Sequence, residues 1–321
     1  MKDFFTVTVL IFCMIQNLTA QNEIPFFWAE YIDNKGIEIE KSAMMIPVEL
    51  SGNDKYAMQL DLGAPKSILY RNLLEDAVFY DSIKDSNSYN DSLFGYQLKL
   101  ENQNVIQNEF EVITYSNSKE AEGIQKAKGV IEDYKNIGTL GRSFLVEDFI
   151  YIDYAKEYIL RPSIESYLSL IEDMKYKVPI KVEYGFVVVP ITFNGKRSYV
   201  MFDTGSSTST INLNGRKGLR LVDRKSISDS FDVKSWRDKI TYYETKGSNV
   251  VKIGKLKMEV ETIQFIPEQY RFYKTFNDIN LYFKLMKFRI FRSVIGVMGN
   301  RLFLDKKILI DYKNEMLYIS E

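Results

Sequence analysis

The sequence predicts a mainly β protein made of two similar halves in one chain. Short apolar runs bounded by turn residues recur along the chain, a pattern typical of strands. Several short motifs also occur twice, in the same order. The chain has 321 residues, a length typical of about two domains, and 45% of these residues are hydrophobic. Two packed β-rich units account for both the composition and the repetition.

The first repeated motif is a strand, a turn, and a second strand that ends in an aspartate. In the first half, the apolar run Met44–Leu50 is followed by a turn cluster and a second run that leads into Asp61. In the second half, Phe186–Phe193 is followed by an Asn-Gly turn and a run that leads into Asp203. Asn-Gly between two apolar runs is the strongest short signal for a hairpin. We therefore expect each aspartate to lie at the end of a buried strand.

The second repeated motif contains a glycine and closes each half. Residues Gly138–Tyr154 and Gly296–Tyr312 align without gaps. Gly141 aligns with Gly299, and each segment ends in Ile-Asp-Tyr. Copies of about 120–140 residues are far longer than solenoid repeats and have the size of domains. The repetition therefore indicates an internal duplication into two lobes.

The boundaries of these motifs divide the chain into five predicted segments. They are a signal peptide at 1–20, an N-terminal leader at 21–43, a first lobe at 44–162, a connector at 163–184 and a second lobe at 185–321. The leader is either a propeptide or a leading strand. The connector contains Ser163 before apolar residues at helical spacing, namely Ile164, Leu168 and Ile171, which predicts a short helix.

The first 20 residues have the features of a secretory signal peptide. Lys2 precedes an apolar run, and small residues lead to Ala20. A membrane anchor is the alternative, but the run has about a dozen residues where a span needs about 20. We therefore expect an exported protein, periplasmic or secreted, with no integral membrane span after signal cleavage.

The composition excludes several kinds of site. The chain contains no histidine, and its one cysteine is Cys13 within the signal peptide. A Ser-His-Asp triad, a Cys-His pair and a histidine-ligated zinc site are therefore impossible. Hydrolytic chemistry would have to use carboxylates, lysine, hydroxyl groups or an oxygen-ligated metal. The net charge of −1 gives no electrostatic reason to expect nucleic acid as a partner.

The two motifs together resemble those of the aspartic proteases of the pepsin and retropepsin superfamily. Phe202–Ser207 matches the pepsin-like form of the family's Asp-Thr-Gly motif, and Leu60–Ala64 is similar to the retropepsin form. Gly141 and Gly299 stand where the family has its later apolar-apolar-Gly motif. The resemblance covers roughly residues 44–161 and 186–319, and it is closest to exported, single-chain, retropepsin-like bacterial members.

This resemblance implies a pepsin/retropepsin-like β-barrel fold with duplicated lobes, a few short helices and a cleft. Asp61 and Asp203 would be the catalytic pair of an exported aspartic endopeptidase that activates one water, with no metal or cofactor. The other implied site residues are Gly63, Ala64, Thr204, Gly205 and Ser206 as support and Gly141 and Gly299 as closing glycines. The substrate would be a peptide or unfolded protein. One chain supplies both aspartates, so a monomer is expected.

The first half departs from the family pattern at two positions. Leu62 stands where the family has a bracing threonine, and Ala64 stands where pepsins have a hydroxyl residue. We therefore expect hydrogen bonds to favour ionisation of Asp203 and leave Asp61 as the proton holder. Leu62 also supports an alternative, a catalytically impaired module that binds peptides or proteins. A third possibility is an unrelated β-rich surface or adhesion protein.

A flap hairpin over the cleft is also implied. The sequence places it within Ser86–Val112, where Tyr89, Phe94 or Tyr96 could cover the cleft. Nothing in the sequence selects among these three side chains.

Overall fold

The structure is a computed structural model in which strands dominate, which confirms the mainly β class. It describes residues 23–32, 36, 38–50, 53–74, 91–94, 98–100, 109–113, 134–145, 148–183, 185–213, 218–222, 227–234, 239–266 and 294–321. The predicted signal peptide at 1–20 lies outside the described residues.

Strands make up most of the described chain, and short helices connect some of them. The first strands are β1 Glu23–Pro25, β2 Phe27–Ile32, β3 Glu38–Leu50, β4 Asn53–Asp61, β5 Ile68–Tyr70, β6 Asp91–Phe94, β7 Leu98–Leu100, β8 Glu109–Ile113, β9 Lys135–Gly141, β10 Phe149–Asp153 and β11 Tyr158–Leu160. The later strands are β12 Tyr176–Pro179, β13 Lys181–Glu183, β14 Phe186–Phe193, β15 Lys196–Phe202, β16 Ile211–Leu213, β17 Ile227–Lys234, β18 Lys239–Ile253, β19 Leu256–Phe265, β20 Val294–Met298, β21 Lys307–Asp311 and β22 Met316–Ile319. The helices are α1 Arg142–Leu145 and α2 Ile164–Glu172, with 3-10 turns at Arg71–Leu73 and Asn300–Phe303.

Two eight-stranded sheets repeat the same pattern of strand pairing. The first-half sheet has the order β2-β3-β4-β9-β5-β8-β6, with β7 paired to β3. The second-half sheet has the order β13-β14-β15-β20-β16-β19-β18-β17, with β18 also paired to β14. In both, the strand that carries the aspartate motif is parallel to its closing strand, β9 or β20. The sequence repeat is therefore also a repeat of topology.

A third sheet, the shared sheet, contains strands from both halves in the order β1-β11-β10-β21-β22-β12. At its centre β10 pairs with β21, with Ile150 opposite Ile310 and Ile152 opposite Ile308. The predicted leader forms β1 in this sheet and β2 in the first-half sheet, where β2 pairs with β3. The shared sheet therefore ties the two halves and the leader together.

The main hydrophobic core runs through both halves without a break. Tyr154 from the end of β10 stacks on Phe303 from the second half, with 6.3 Å between ring centroids. Phe303 also meets Phe202 edge to face at 5.7 Å, directly before Asp203. All three aromatic side chains are buried. Aromatic packing therefore supports the strand end that carries Asp203.

The helix predicted after Ser163 is present as α2. The Ser163 side chain caps it by accepting a hydrogen bond from the Ser166 N–H at 3.3 Å. Of the three apolar residues at helical spacing, Ile171 packs against a core cluster, whereas Ile164 and Leu168 are 64% and 58% exposed. Tyr167 is buried instead, and its hydroxyl donates to Asp311 at 2.8 Å. The hydrogen bond to Asp311 and the stacking of Tyr167 on Phe149 together hold this helix against the shared sheet.

The region predicted to hold a flap is described in part. β6 pairs with β8 in antiparallel fashion, whereas β7 pairs with β3. Phe94 is the last residue of β6, and Tyr89 and Tyr96 lie outside the described residues. The flap over the cleft stays a prediction.

Candidate active site

The two aspartates lie at equivalent ends of equivalent strands. Asp61 ends β4 opposite Gly141 of the parallel strand β9. Asp203 directly follows β15, whose last residue, Phe202, is opposite Met298 of the parallel strand β20. Each aspartate begins a tight turn of the same kind, because its carbonyl accepts the N–H three residues later at 3.1 Å. The repeated motif therefore forms the same loop twice.

The two loops meet, and their carboxyl groups lie next to each other. A Cβ atom added to Gly63 would meet the Asp203 carboxyl group and one added to Gly205 would meet that of Asp61, and each carboxyl group affects the ionisation of the other. Both residues keep partial exposure at the surface. Two acidic side chains that are far apart in sequence therefore form one partly accessible pair.

Backbone N–H groups from both loops point at this pair. Asp203 Oδ1 accepts from the Gly205 N–H at 2.8 Å and from the Gly63 N–H of the opposite loop at 3.1 Å. Asp61 Oδ1 accepts from the Ala64 N–H at 2.8 Å. Donors of this kind stabilise the ionised form of a carboxyl group. Asp203 receives them from both halves.

Gly63 and Gly205 allow each loop to pass directly over the opposite carboxyl group. A Cβ atom on Gly63 would lie 2.6 Å from Asp203 Oδ2, and one on Gly205 would lie 2.6 Å from Asp61 Cγ. Real Cβ contacts are not this short, so a side chain at either position would push the carboxyl groups apart. Glycine at both positions is therefore a condition of the close approach.

Thr204 joins the two loops through its hydroxyl. This group accepts a hydrogen bond from the Leu62 N–H at 2.9 Å and donates one to the Leu60 carbonyl at 3.1 Å. Thr204 is fully buried. Leu62 contributes its backbone to this link, while its side chain is 3% exposed and belongs to the core. A side-chain hydroxyl therefore braces the loops from the second half only.

The remaining predicted residues act mainly through their backbones. The Ala64 side chain is buried, and among the described residues the Ser206 hydroxyl is not a donor to Asp203. Gly141 and Gly299 lie beneath the loops, where added Cβ atoms would meet the carbonyl oxygens of Lys66 and Ser206. The two closing glycines therefore leave room for the aspartate loops.

Two supporting residues were missed by the sequence reasoning. Gln59 Nε2 donates to the Gly205 carbonyl at 3.2 Å and so adds a further link between the halves. Asn300 Nδ2 donates to the Thr204 carbonyl and to Ser207 Oγ, each at 2.8 Å. The sequence signal for Gln59 is a lone amide inside an apolar strand. The signal for Asn300 is a polar residue directly after the closing glycine Gly299.

The surroundings raise the pKa of both carboxyl groups, and Asp61 more strongly. Burial raises the pKa of Asp61 well above its ordinary value, and the neighbouring charge of Asp203 raises it further. Burial also raises the pKa of Asp203, but hydrogen bonds from Asp61, Gly205 and Gly63 oppose this change. These surroundings favour a proton on Asp61 over one on Asp203, and the placement of the proton stays a prediction. The donors to Asp203 are backbone N–H groups, where the sequence suggested Ser206.

The described residues also bear on membranes and metals. No helix among them is long and apolar enough to cross a membrane. Nor does this part of the chain bring three or more carboxylate or thiol residues together in a group that could hold a metal ion.

Comparison with known proteins gives no independent assignment. No model of a known protein family matches the chain, and no curated protein matches it significantly.

Proposed function

We propose that this protein is an aspartic endopeptidase with a pepsin/retropepsin-like two-lobed fold. One observation carries the proposal. Two carboxyl groups from equivalent loops of a duplicated unit lie side by side, affect each other's ionisation and face solvent in part. Neighbouring carboxyl groups cannot both ionise easily, so a pair of this kind holds one proton. Such a pair contains an acid and a base side by side at the pH where that proton is bound.

The different surroundings of the two aspartates assign their roles. Ionised Asp203 takes a proton from a water molecule, and the water oxygen forms a bond to the carbon of the scissile peptide. Asp61 donates its proton to the carbonyl oxygen, which gives a neutral tetrahedral intermediate. Asp203 then returns its proton to the leaving nitrogen, while Asp61 takes one back from the intermediate as the C–N bond breaks. The pair ends each cycle with the one proton it began with.

The contacts around the pair hold this geometry. The Gly63 N–H binds Asp203 from the opposite loop, and the Thr204 hydroxyl binds both Leu60 and Leu62. Gln59 adds a third link, to Gly205. Placement within a fraction of an ångström matters, because a displacement of 1 Å can lower a rate by about 100-fold. Contacts between the halves are therefore part of the proposed catalytic apparatus.

The substrate and location follow from the same proposal. A peptide or unfolded protein would bind as an extended chain in the cleft between the lobes, because a folded chain does not present its backbone to a carboxyl pair. The signal sequence at 1–20 would direct this activity to the periplasm or the exterior. One chain provides both carboxyl groups, so a monomer would be sufficient.

A peptide-binding module without useful catalysis is the second candidate. It is favoured by Leu62 and Ala64, two apolar side chains at positions where a fully braced loop has hydroxyl groups. Such a module would keep the cleft but would cleave peptides too slowly to be useful as an enzyme. Binding of a statine-type inhibitor, together with failure to cleave peptides, would support this candidate.

The test is cleavage of an unfolded protein at several pH values, with the new N-termini identified by mass spectrometry. The matched control is Asp203→Asn, which preserves size and removes the base. We expect internal cleavage by the wild-type protein at acidic pH, inhibition by a statine-type inhibitor and no cleavage by the variant. Cleavage that survives both the variant and the inhibitor would contradict the aspartic mechanism.

A further inference from the structure

The residue after the closing glycine differs between the halves. In the second half it is Asn300, which is fully buried and accepts a hydrogen bond from the Tyr154 hydroxyl at 2.8 Å. In the first half it is Arg142, and the residue equivalent to Tyr154 is Tyr312. A neutral amide beside a phenol of the other half is thus replaced by a cation at the equivalent position of the first half.

Contacts with the second half fix the position of Arg142. Its backbone N–H donates to the Ala64 carbonyl at 3.0 Å, within the loop that carries Asp61. Its guanidinium carbon lies 4.1 Å from the centre of the Phe186 ring. Gly185, with a φ of +78°, lies alongside, and a Cβ atom there would be 2.5 Å from Arg142 Nε. An aromatic face and a bare glycine backbone therefore clamp the guanidinium.

The clamped group is not neutralised by an ion pair among the described residues. Arg142 Nη1 and the Tyr312 hydroxyl are both buried, and neither has a hydrogen-bond partner in the described part of the chain. Burial lowers the pKa of Arg142, whereas its electrostatic interactions with Tyr312 and Asp61 raise it. Its backbone bond to Ala64 and its place directly after Gly141, the residue opposite Asp61, hold Arg142 beside the Asp61 loop, so its positive charge favours the ionised form of Asp61. The charge thus lies on the Asp61 side of the pair, where the loop has Leu62 in place of a threonine.

Resting on the proposed function, we propose that Arg142 is a positioning residue whose clamped positive charge stabilises ionisation of the Asp61–Asp203 pair and so sets the alkaline limit of its activity. Among the described residues, each aspartate acts on the other, and Tyr242 interacts with Asp203. Tyr242 stays neutral until strongly alkaline pH, because burial raises its pKa to about 12. Arg142 is thus a cation held beside the loop that carries Asp61.

The expected sign follows from the single shared proton. The pair is active while it holds one proton, and it loses activity at high pH when that proton leaves. A nearby positive charge eases this loss. Without the positive charge of Arg142, the pair should therefore keep its proton to higher pH. The alkaline limb of the rate profile should then move upward by about one pH unit.

The experiment compares Arg142→Gln, Arg142→Lys and the control Lys257→Gln, which removes an exposed cation. Two quantities are measured for each protein: titration of the Asp61 carboxyl by carbon NMR with labelled aspartate, and kcat/KM against pH. We expect Arg142→Gln to raise the Asp61 pKa and the alkaline limb together, while Arg142→Lys and Lys257→Gln stay close to wild type. An unchanged Asp61 titration in Arg142→Gln would overturn the inference.

Two further outcomes keep this test separate from that of the proposed function. If the wild-type protein cleaves nothing but Arg142→Gln still raises the Asp61 pKa, the electrostatic role stands and the protease assignment fails. If Arg142→Gln does not fold, Phe186→Leu removes the ring beneath the guanidinium and should move the same titration in the same direction. No movement in Phe186→Leu would then overturn the inference.

Discussion

The backbone N–H of Leu62 donates a hydrogen bond to the hydroxyl of Thr204 at 2.9 Å, across the boundary between the two halves. The same hydroxyl donates to the Leu60 carbonyl at 3.1 Å. One side chain therefore satisfies two backbone groups of the opposite loop and holds Asp61 against Asp203. The first half has no hydroxyl at the equivalent position, where Leu62 fills the core.

Thr204→Val should weaken the junction without changing side-chain volume greatly. It removes both hydrogen bonds and leaves a buried N–H and a buried carbonyl without this partner, at a cost of about 1–3 kcal/mol in the free energy of unfolding. Urea denaturation measures this change. Thr204→Ser keeps the hydroxyl and is the matched control. Equal stabilities of the Val variant and the wild type would show that the bridge contributes nothing.

Leu62→Ala should destabilise the fold by about 2–5 kcal/mol, because it deletes a buried core side chain. Leu168→Ala is the matched control, since Leu168 is 58% exposed and a surface substitution changes stability by about 0.5 kcal/mol or less. Both changes are measured by thermal and urea denaturation. A Leu62 variant as stable as the Leu168 variant would contradict the core role of Leu62.

Gly63→Ala and Gly205→Ala should each separate the carboxyl groups. An added Cβ would lie 2.6 Å from atoms of the opposite aspartate, so the loops must move apart. We expect kcat/KM to fall by about 100-fold or more. Gly247→Ala is the control, because the nearest atom to its Cβ would be 3.9 Å away. Full activity in either loop variant would disprove the close approach of the loops.

The raised pKa of Asp61 predicts how stability changes with pH. Its pKa is higher in the folded than in the unfolded state, so this group contributes full stability below its unfolded pKa, near 4. The contribution is lost as pH rises through the folded pKa, because ionisation beside Asp203 is unfavourable. Asp61→Asn removes this loss, so the variant should be more stable than wild type at neutral pH and similar to it below about pH 4. Parallel curves of unfolding free energy against pH would contradict the assignment.

The sequence predicted those parts of the site that depend on chain order. The repeated motifs put Asp61 at the end of one strand and Gly141 in a later one, and the parallel pairing of these strands places the two residues opposite each other. The repeat then places Asp203 in the same way.

Contacts between the halves could not be predicted, because they depend on side-chain directions that packing decides. Gln59 of the first half reaches Gly205 of the second half only where the two loops meet. The exposed positions of Ile164 and Leu168 have a similar cause. The side chain that α2 buries is Tyr167, which is hydrogen-bonded to Asp311. Apolar spacing alone contains no information about that hydrogen bond.

The most direct test of the central claim is kcat/KM on one peptide for wild type, Asp61→Asn, Asp203→Asn and the double variant, between about pH 3 and pH 7. If the two carboxyl groups act as one unit, each single variant loses nearly all activity and the double variant loses little more. The wild-type profile should be bell-shaped, with one proton on the pair at its maximum. Wild-type activity in either single variant would contradict the account.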